Sequence, residues 1–168
     1  MKILTLCLAM LSLNFLMGCT SPVIQAMASE PATPNPSCGG SFTYIPSEYS
    51  AQQLAMFQQV QNEWNNYIGY EVVTLTPDYV KHEACQINVV DSITVEGQNF
   101  DGYFDANGGI LRLTAKTYLD DQKMLTNLLA HEIGHALGMS HLEDSLMQAN
   151  GYHEFSSKDR EQLESLGY

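Results

Sequence analysis

The strongest chemical signal in the sequence is a group of three histidines within eleven residues, in the segment His131-Glu132-Ile133-Gly134-His135-Ala136-Leu137-Gly138-Met139-Ser140-His141. His131 and His135 are four residues apart, so on a helix both imidazoles leave the same face and can share one cation. Gly138 tolerates the left-handed conformation that ends a helix, and the turn after it can bring His141 toward the same cation. Three neutral nitrogen ligands with one open position are typical of catalytic zinc.

Glu132 lies next to the first of these histidines, on the neighbouring side of the predicted helix. From there its carboxylate can reach a water molecule without replacing that water as a metal ligand, so we expect Glu132 to act as a general base. A lone histidine is more often an ordinary core or surface residue. The fixed offsets of Gly138 and His141 from the first two histidines favour a metal site instead.

The composition suits one compact domain that carries excess negative charge. The chain has 168 residues, with 7 Lys and Arg against 19 Asp and Glu, and a formal net charge of -12. The basic residues are scattered and form no cluster, which argues against a nucleic-acid partner. Beyond the N-terminus, no apolar run reaches the roughly 18 to 20 residues of a membrane span. We expect the domain to act as a monomer.

Residues 1–18 resemble the signal peptide of a bacterial lipoprotein. Lys2 gives a positive start, residues 3–16 are almost entirely apolar, and Leu16-Met17-Gly18-Cys19 resembles the lipobox at which such signals are cut. This resemblance implies a lipid on Cys19 that holds the protein on a bacterial membrane outside the cytoplasm, in the periplasm or at the cell surface. The alternative is cleavage after Ala28 and secretion, but that cut would lie unusually far from the apolar stretch.

Residues 19–37 are rich in Ser, Thr, Pro and Ala, and predict a disordered tether between the lipid and a folded domain at residues 38–168. Cys7 would leave with the signal and Cys19 would carry the lipid. The two cysteines that remain, Cys38 and Cys85, predict a disulfide in an oxidising compartment.

The domain shows a mixture of strand and helix patterns. Apolar residues at spacings of three and four, from Leu54 to Ile68, predict a buried face on a helix that begins at Ser50. Two more helices are predicted over about residues 120–137 and 156–166, the last one capped by Ser156-x-x-Asp159. Short strands are predicted at Phe42–Ile45, Val72–Thr76, Gln86–Val90, Phe100–Phe104 and Ile110–Thr114.

The histidine segment resembles the signature of the metzincin metallopeptidases, H-E-x-x-H-x-x-G-x-x-H followed by a methionine turn, here Ser145-Leu146-Met147. Leu137-Gly138-Met139-Ser140-His141 and the closing segment 155–168 are most similar to the matrixin branch of that family. The resemblance implies an α/β (α+β) domain with a twisted mixed sheet, an active-site helix, a backing helix and a C-terminal helix. It also implies one catalytic zinc ion and hydrolysis of peptide bonds in proteins or peptides.

The same resemblance implies roles for individual residues. Met147 would form an apolar floor beneath the metal, and substrate would lie along an exposed sheet edge, formed by the strand Phe100–Phe104 with Phe100 and Tyr103 in the cleft. Matrixins form the pocket wall with a Pro-x-Tyr segment after the methionine; here Ala149 stands at the approximate place of the proline, and Tyr152, the candidate for the wall, is displaced by one residue. The first and third strands would be parallel neighbours, which supports the predicted disulfide.

The sequence also departs from the matrixin pattern. Leu142 follows the third histidine, where matrixins carry serine, and the spacing from His141 to Met147 is shorter than theirs. Matrixins bind a second, structural zinc through three histidines and an aspartate. Only His82 and His153 lie outside the catalytic motif, so we expect no such site and interpret these two as surface residues.

Three interpretations remain open at this stage. Asp101, Asp105 and Asn107 could hold calcium through oxygen ligands, although the chemistry of a hairpin turn also accounts for them. Cys38 could plug the zinc as a matrixin propeptide cysteine does, although the arginine and long pro-region of that pattern are missing. The chain could be a lipoprotein that binds zinc or a partner without turnover, although zinc capture alone has no use for Glu132.

Overall fold

The computed structural model describes residues 39–77, 85–114, 122–150 and 153–168. These residues form a mixed α/β fold with a mixed sheet and three α-helices. The helices are α1 (Ala51–Ile68), α2 (Gln122–Ala136) and α3 (Ser157–Leu166). The strands are β1 (Ser41–Tyr44), β2 (Thr74–Pro77), β3 (Cys85–Val90), β4 (Ile93–Val95), β5 (Gln98–Phe100), β6 (Gly102–Asp105) and β7 (Ile110–Thr114). No helix within the described ranges combines the length and hydrophobicity that crossing a bilayer requires.

The main sheet has five strands in the order β2-β1-β3-β7-β6. Strands β2, β1, β3 and β7 run parallel, and β6 pairs antiparallel with β7 at one edge. β1 and β3 are parallel neighbours, with Phe42 opposite Cys85, which confirms the predicted adjacency. Cys85 is buried and disulfide-bonded. Its predicted partner, Cys38, lies outside the described residues.

Helix α1 begins at the capping box that its sequence predicts. The Ser50 hydroxyl accepts a hydrogen bond from the Gln53 backbone N–H, and the Gln53 side chain accepts one from the Ser50 N–H, which together form a capping box. The helix ends at Gly69, whose φ of 93° is left-handed. Its buried face consists of Met56, Phe57, Val60, Trp64 and Ile68, and Met56 takes the place in the core that the spacing assigned to Leu54.

Strand β2 starts later than predicted, because the side chain of Asn65 forms hydrogen bonds with the backbone that precedes the strand. Asn65 Oδ1 accepts hydrogen bonds from the N–H groups of Val72 and Val73, at 2.8 and 2.9 Å. These two N–H groups are therefore not available for a sheet ladder. The strand begins at Thr74, although Val72 and Val73 are buried in the core.

The predicted strand Phe100–Phe104 is wrong as a single element. The chain bends at Asp101 and divides it into β5, which ends at Phe100, and β6, which begins at Gly102. β5 pairs with β4 in a separate hairpin, and Phe100 lies opposite Ile93 there. Glu96 and Gly97 join the two strands with φ of 50° and 81°. A two-residue turn with both φ values positive is usually Asn-Gly, so the Glu-Gly sequence does not predict this hairpin.

Helices α1 and α2 pack against each other, and α2 also contacts β6 and β7. The Trp64 indole N–H donates to the Ala130 carbonyl across the helix pair, at 3.2 Å. α3 closes the described fold and begins with a second capping box, in which Asp159 accepts from the backbone of Ser156. The core therefore lies between the helix pair and the sheet, with α2 next to the edge strand β6.

Candidate metal centre

Three histidine side chains converge at the C-terminal end of α2. His131 and His135 lie one turn apart on this helix, which ends at Ala136. Gly138, with a φ of 93°, reverses the chain and brings His141 toward them. The ligand atoms of the three histidines all lie within 4.8 Å of one another, the one such cluster found among the described residues. The structure thus brings together the three residues that the spacing singled out.

Backbone carbonyls fix the ring orientation of the two helical histidines. Nδ1 of His131 lies 2.8 Å from the Leu146 carbonyl oxygen, and Nδ1 of His135 lies 2.9 Å from the Met139 carbonyl oxygen. A carbonyl can only accept, so each Nδ1 carries the proton and each Nε2 keeps a free lone pair. Such a bond to the outer ring nitrogen is what orients a metal-binding histidine.

The Nε2 atoms of the three histidines are the atoms that a metal ion would contact. Nε2 of His131 is buried and has no hydrogen-bond partner in the described part of the chain, and Nε2 of His135 lies 3.2 Å from Nε2 of His141. Leaving a buried polar atom unpaired costs free energy, and one cation in contact with all three nitrogens would remove that cost. Three neutral nitrogens suit zinc, which takes a fourth ligand from solvent or substrate in catalytic sites. The donor set therefore fits this ion.

Burial keeps the three histidines neutral. It lowers the pKa of His131 to about 4 and the pKa of His135 to about 3. The pKa of the half-buried His141 is lowered for the same reason. Metal binding requires deprotonated imidazoles, so at neutral pH no proton has to leave before an ion binds.

Glu132 is held between α2 and the edge strand β6. The residue is 1% exposed, and its Oε1 has no hydrogen-bond partner among the described residues. Burial raises the pKa of this carboxyl to about 8, and the backbone N–H of Phe104 beside it acts in the opposite direction. Without metal this carboxyl therefore keeps its proton near neutral pH, and a cation held by the neighbouring histidines would favour the ionised form that can take a proton from water.

Met147 is completely buried and packs against the ligand-bearing turn of α2. A Cβ atom on Gly134 would lie only 2.2 Å from Met147 Sδ, so the absence of a side chain at Gly134 allows this approach. The loop is closed by hydrogen bonds from Leu142 N–H to the Met147 carbonyl and from the Ser145 hydroxyl to the Leu142 carbonyl. The predicted methionine turn thus lies next to the helical histidines.

Asp159 supports this turn, a role that the sequence did not reveal. Its carboxylate is fully buried and accepts hydrogen bonds from the N–H groups of Leu146 and Met147, at 3.1 and 3.4 Å. It also accepts from the backbone N–H and the hydroxyl of Ser156. The capping pattern of α3 already explains an aspartate at this position, so the sequence does not indicate that Asp159 also supports the methionine turn.

The remaining predicted site residues lie apart from the histidine cluster or outside the described residues. Phe100 is buried at the end of β5 and is not part of the edge strand. Tyr103 lies on the edge strand β6 and is partly exposed. Tyr152 and Cys19 lie outside the described residues, as does His82. His153 is partly exposed, and its Nε2 lies 3.0 Å from the Asn150 carbonyl oxygen.

Of the residues considered for calcium, Asp105 and Asn107 belong to the β6–β7 turn, and Asp101 lies in the bend between β5 and β6. Asp105 Oδ1 accepts from the N–H groups of Asn107 and Gly108, both at 3.1 Å, and Oδ2 lies 3.5 Å from the Arg112 guanidinium. The carbonyl of Asp101 accepts from the Thr114 N–H, at 2.8 Å. Turn and ladder hydrogen bonds therefore account for these residues without a metal ion.

Comparison with known proteins does not place the chain in a family: no protein-family model matches it, and neither does any curated protein. The geometry of the site and the sequence pattern that forms it are therefore the basis on which a function can be proposed.

Proposed function

We propose that the protein is a zinc-dependent endopeptidase of the metzincin type, similar to the matrixins, that hydrolyses peptide bonds of proteins or peptides. The observation that carries this proposal is the convergence of three neutral histidines, two of them oriented by backbone carbonyls, beside a buried glutamate. Structural zinc sites are normally closed by four protein ligands, whereas this cluster offers three. A site for zinc capture alone would also gain nothing from a buried carboxylate next to its ligands.

The chemistry divides between the metal and Glu132. His131, His135 and His141 would hold a zinc ion, which would supply a Lewis acid able to polarise a peptide carbonyl and acidify water. Glu132 removes a proton from the attacking water and later delivers it to the leaving nitrogen. Its burial between α2 and β6 keeps bulk water away from the carboxylate, which strengthens this proton transfer.

The edge strand β6 is suited to hold an extended peptide. The hydrogen bond from Thr114 N–H to the Asp101 carbonyl makes these two residues a hydrogen-bonded pair of the antiparallel ladder. Such pairs alternate along the strands, so the backbone groups of Gly102 and the carbonyl of Phe104 point away from β7, toward an edge that has no partner strand among the described residues, whereas the Phe104 N–H faces Glu132. A substrate strand added there would lie next to Glu132.

A cavity beside His141 gives a second contact surface for substrate. It is lined by His141, Leu142, Glu143, Asp144, Gln148 and Ala149, together with Asn150. The cavity therefore directly adjoins one of the three proposed zinc ligands.

We propose that the protein acts outside the cytoplasm, held to a bacterial membrane by a lipid on Cys19.

The proposal is tested with the purified full-length protein and a mixed peptide library. We expect cleavage that stops when a zinc chelator is added and returns with zinc. Glu132→Ala should lower the cleavage rate by about 10²- to 10⁴-fold while the protein still binds one zinc ion. The matched control is Glu164→Ala, which removes an exposed carboxylate on α3, away from the site, and should change the rate little.

Two results would contradict the proposal. Cleavage that is insensitive to the chelator would show that the histidine cluster is not the active site. Wild-type rates in Glu132→Ala would remove the general base from the mechanism. Loss of zinc from that variant would instead make Glu132 a metal ligand.

A further inference from the structure

Gly102, the first residue of β6, lies directly against the Glu132 side chain. A Cβ atom on this glycine would be 2.5 Å from Oε1, 2.8 Å from Cγ and 2.9 Å from Cδ of Glu132. These are its three nearest neighbours, and all of them belong to the same glutamate. Separations below 3.0 Å are not tolerated between such atoms, so any other residue at this position would displace the carboxylate.

The backbone does not explain why this residue is glycine. The φ of Gly102 lies outside the left-handed region, so an alanine could adopt the same conformation. Glycine in a strand also weakens it, because the unfolded chain gains conformational freedom and the strand loses a packing group. The contact with Glu132 is the feature of the structure that requires a missing side chain.

The carboxylate has little room to move away from this contact. Glu132 is 1% exposed, and β6 is fixed on its other side by the pairing of Gly102 with the fully buried Leu113. The neighbouring residue on α2 is His131, whose ring is held by the Leu146 carbonyl. A shift of the carboxylate would therefore change its distance from the metal centre.

We propose that Gly102 is a positioning residue for the reaction, and that the missing side chain in β6 forms the space in which the Glu132 carboxylate is aligned. This inference rests on the proposed peptidase function and adds a residue of the edge strand to the machinery of the general base. Gly102 touches neither metal nor water in this role, because it acts through Glu132.

The first test compares Gly102→Ala with Gly108→Ala in the zinc-loaded full-length protein. We expect Gly102→Ala to lower kcat by about 10- to 100-fold, because misplacing a general base removes much of its contribution, while KM changes less than about twofold. Zinc content should stay the same. Gly108 lies in the adjoining turn, where a Cβ would be 3.2 Å from Asp105 Oδ2 and would not contact Glu132, so Gly108→Ala should keep the wild-type kcat.

The second test is a thermal double-mutant cycle on the zinc-free protein, which needs no activity. With Glu132 present, we expect Gly102→Ala to lower Tm by more than about 3 °C. In the Glu132→Ala background the same substitution should leave Tm unchanged or raise it, because alanine then restricts the unfolded chain without a clash. An equal loss of Tm in both backgrounds would overturn the proposal.

These two tests also separate failure of the inference from failure of the proposed function. If the wild-type protein cleaves peptides and Gly102→Ala keeps the wild-type kcat, the positioning role is wrong and the peptidase assignment stands. If the wild type cleaves no peptide, the peptidase assignment fails, and with it the catalytic role of Gly102. The cycle then still shows whether Gly102 makes the space for Glu132.

Discussion

The Asp159 carboxylate on α3 accepts a hydrogen bond from the backbone N–H of Leu146, at 3.1 Å. The carbonyl of Leu146 in turn accepts a hydrogen bond from Nδ1 of His131. A continuous chain of hydrogen bonds therefore connects the last helix to the first of the proposed metal ligands. Because a histidine that binds metal depends on the partner of its other nitrogen, we expect the position of α3 to influence the proposed metal centre.

We expect Asp159→Ala to lower the free energy of unfolding by about 3 kcal/mol, because the buried N–H of Leu146 loses a charged acceptor. The same change should weaken zinc binding by about 10- to 100-fold through the altered support of His131. Urea denaturation and a competitive zinc titration measure the two effects. Glu161→Ala, which removes an exposed carboxylate from the same helix, is the control. Unchanged zinc affinity in Asp159→Ala would contradict the proposed connection.

Gly134→Ala should destabilise the protein, although alanine normally stabilises the interior of a helix by up to about 1 kcal/mol relative to glycine. The reason is the approach of Met147, whose Sδ would lie 2.2 Å from the new Cβ. Chemical denaturation of Gly134→Ala, Met147→Ala and the double variant measures this coupling. Once Met147 is truncated, we expect Gly134→Ala to be neutral or stabilising. A stabilising effect in the wild-type background would show that the methionine turn moves freely.

The zinc-free protein should be most stable near pH 6.5. Burial lowers the pKa of His131 and His135 from 6.5 to about 4 and about 3, and raises that of Glu132 from 4.5 to about 8. Between about pH 4.5 and 6.5 the two histidines are protonated only in the unfolded chain, and this outweighs the single proton that folded Glu132 retains. The unfolded state therefore binds more protons, and stability rises with pH.

Above pH 6.5 the sign reverses. The histidines are then neutral in both states, whereas Glu132 holds a proton only in the folded protein, so stability falls toward about pH 8. Urea midpoints measured in the presence of chelator from pH 4 to pH 9 would give this profile. Glu132→Gln should remove the decline on the alkaline side and keep the rise on the acid side. A flat profile for the wild type would mean that these groups titrate normally.

Cys19→Ala should release the protein from membranes, because the thiol of this residue is the proposed attachment point of the lipid. Membrane fractionation and intact mass measurement of the expressed protein check this, with Cys7→Ala as the control, since Cys7 would leave with the signal. A mature protein that begins at Ser29 would instead show ordinary signal cleavage and secretion.

The parts of the site that the sequence predicted are those whose contacts are local. His131 and His135 share a helix face by periodicity alone, and Gly138 predicts the turn that brings His141 back toward them. The capping box of α1 is equally local, since Ser50 and Gln53 satisfy each other within one turn. Such signals depend on a few neighbouring residues and not on the rest of the fold.

The parts that the sequence could not predict depend on residues far apart in the chain. Gly102 contacts Glu132 across the packing of β6 on α2, and nothing near either residue indicates this. The break at Asp101 depends on which strand each segment pairs with, because Phe100 faces Ile93 while Gly102 faces Leu113. A period-two pattern can identify strands but cannot choose their partners.

The place of Gly102 in the fold has a consequence for the order in which the protein assembles. The contacts that would hold the metal connect residues that are close in sequence, as in the hydrogen bond between His135 and Met139. The contact between Glu132 and Gly102 closes the longer loop between these two residues. It also requires β7, the strand with which β6 pairs, to be in place. Loop closure costs more entropy as the loop lengthens, so forming this contact is the slower event. We therefore expect the three proposed metal ligands to converge during folding before Glu132 reaches its position on Gly102.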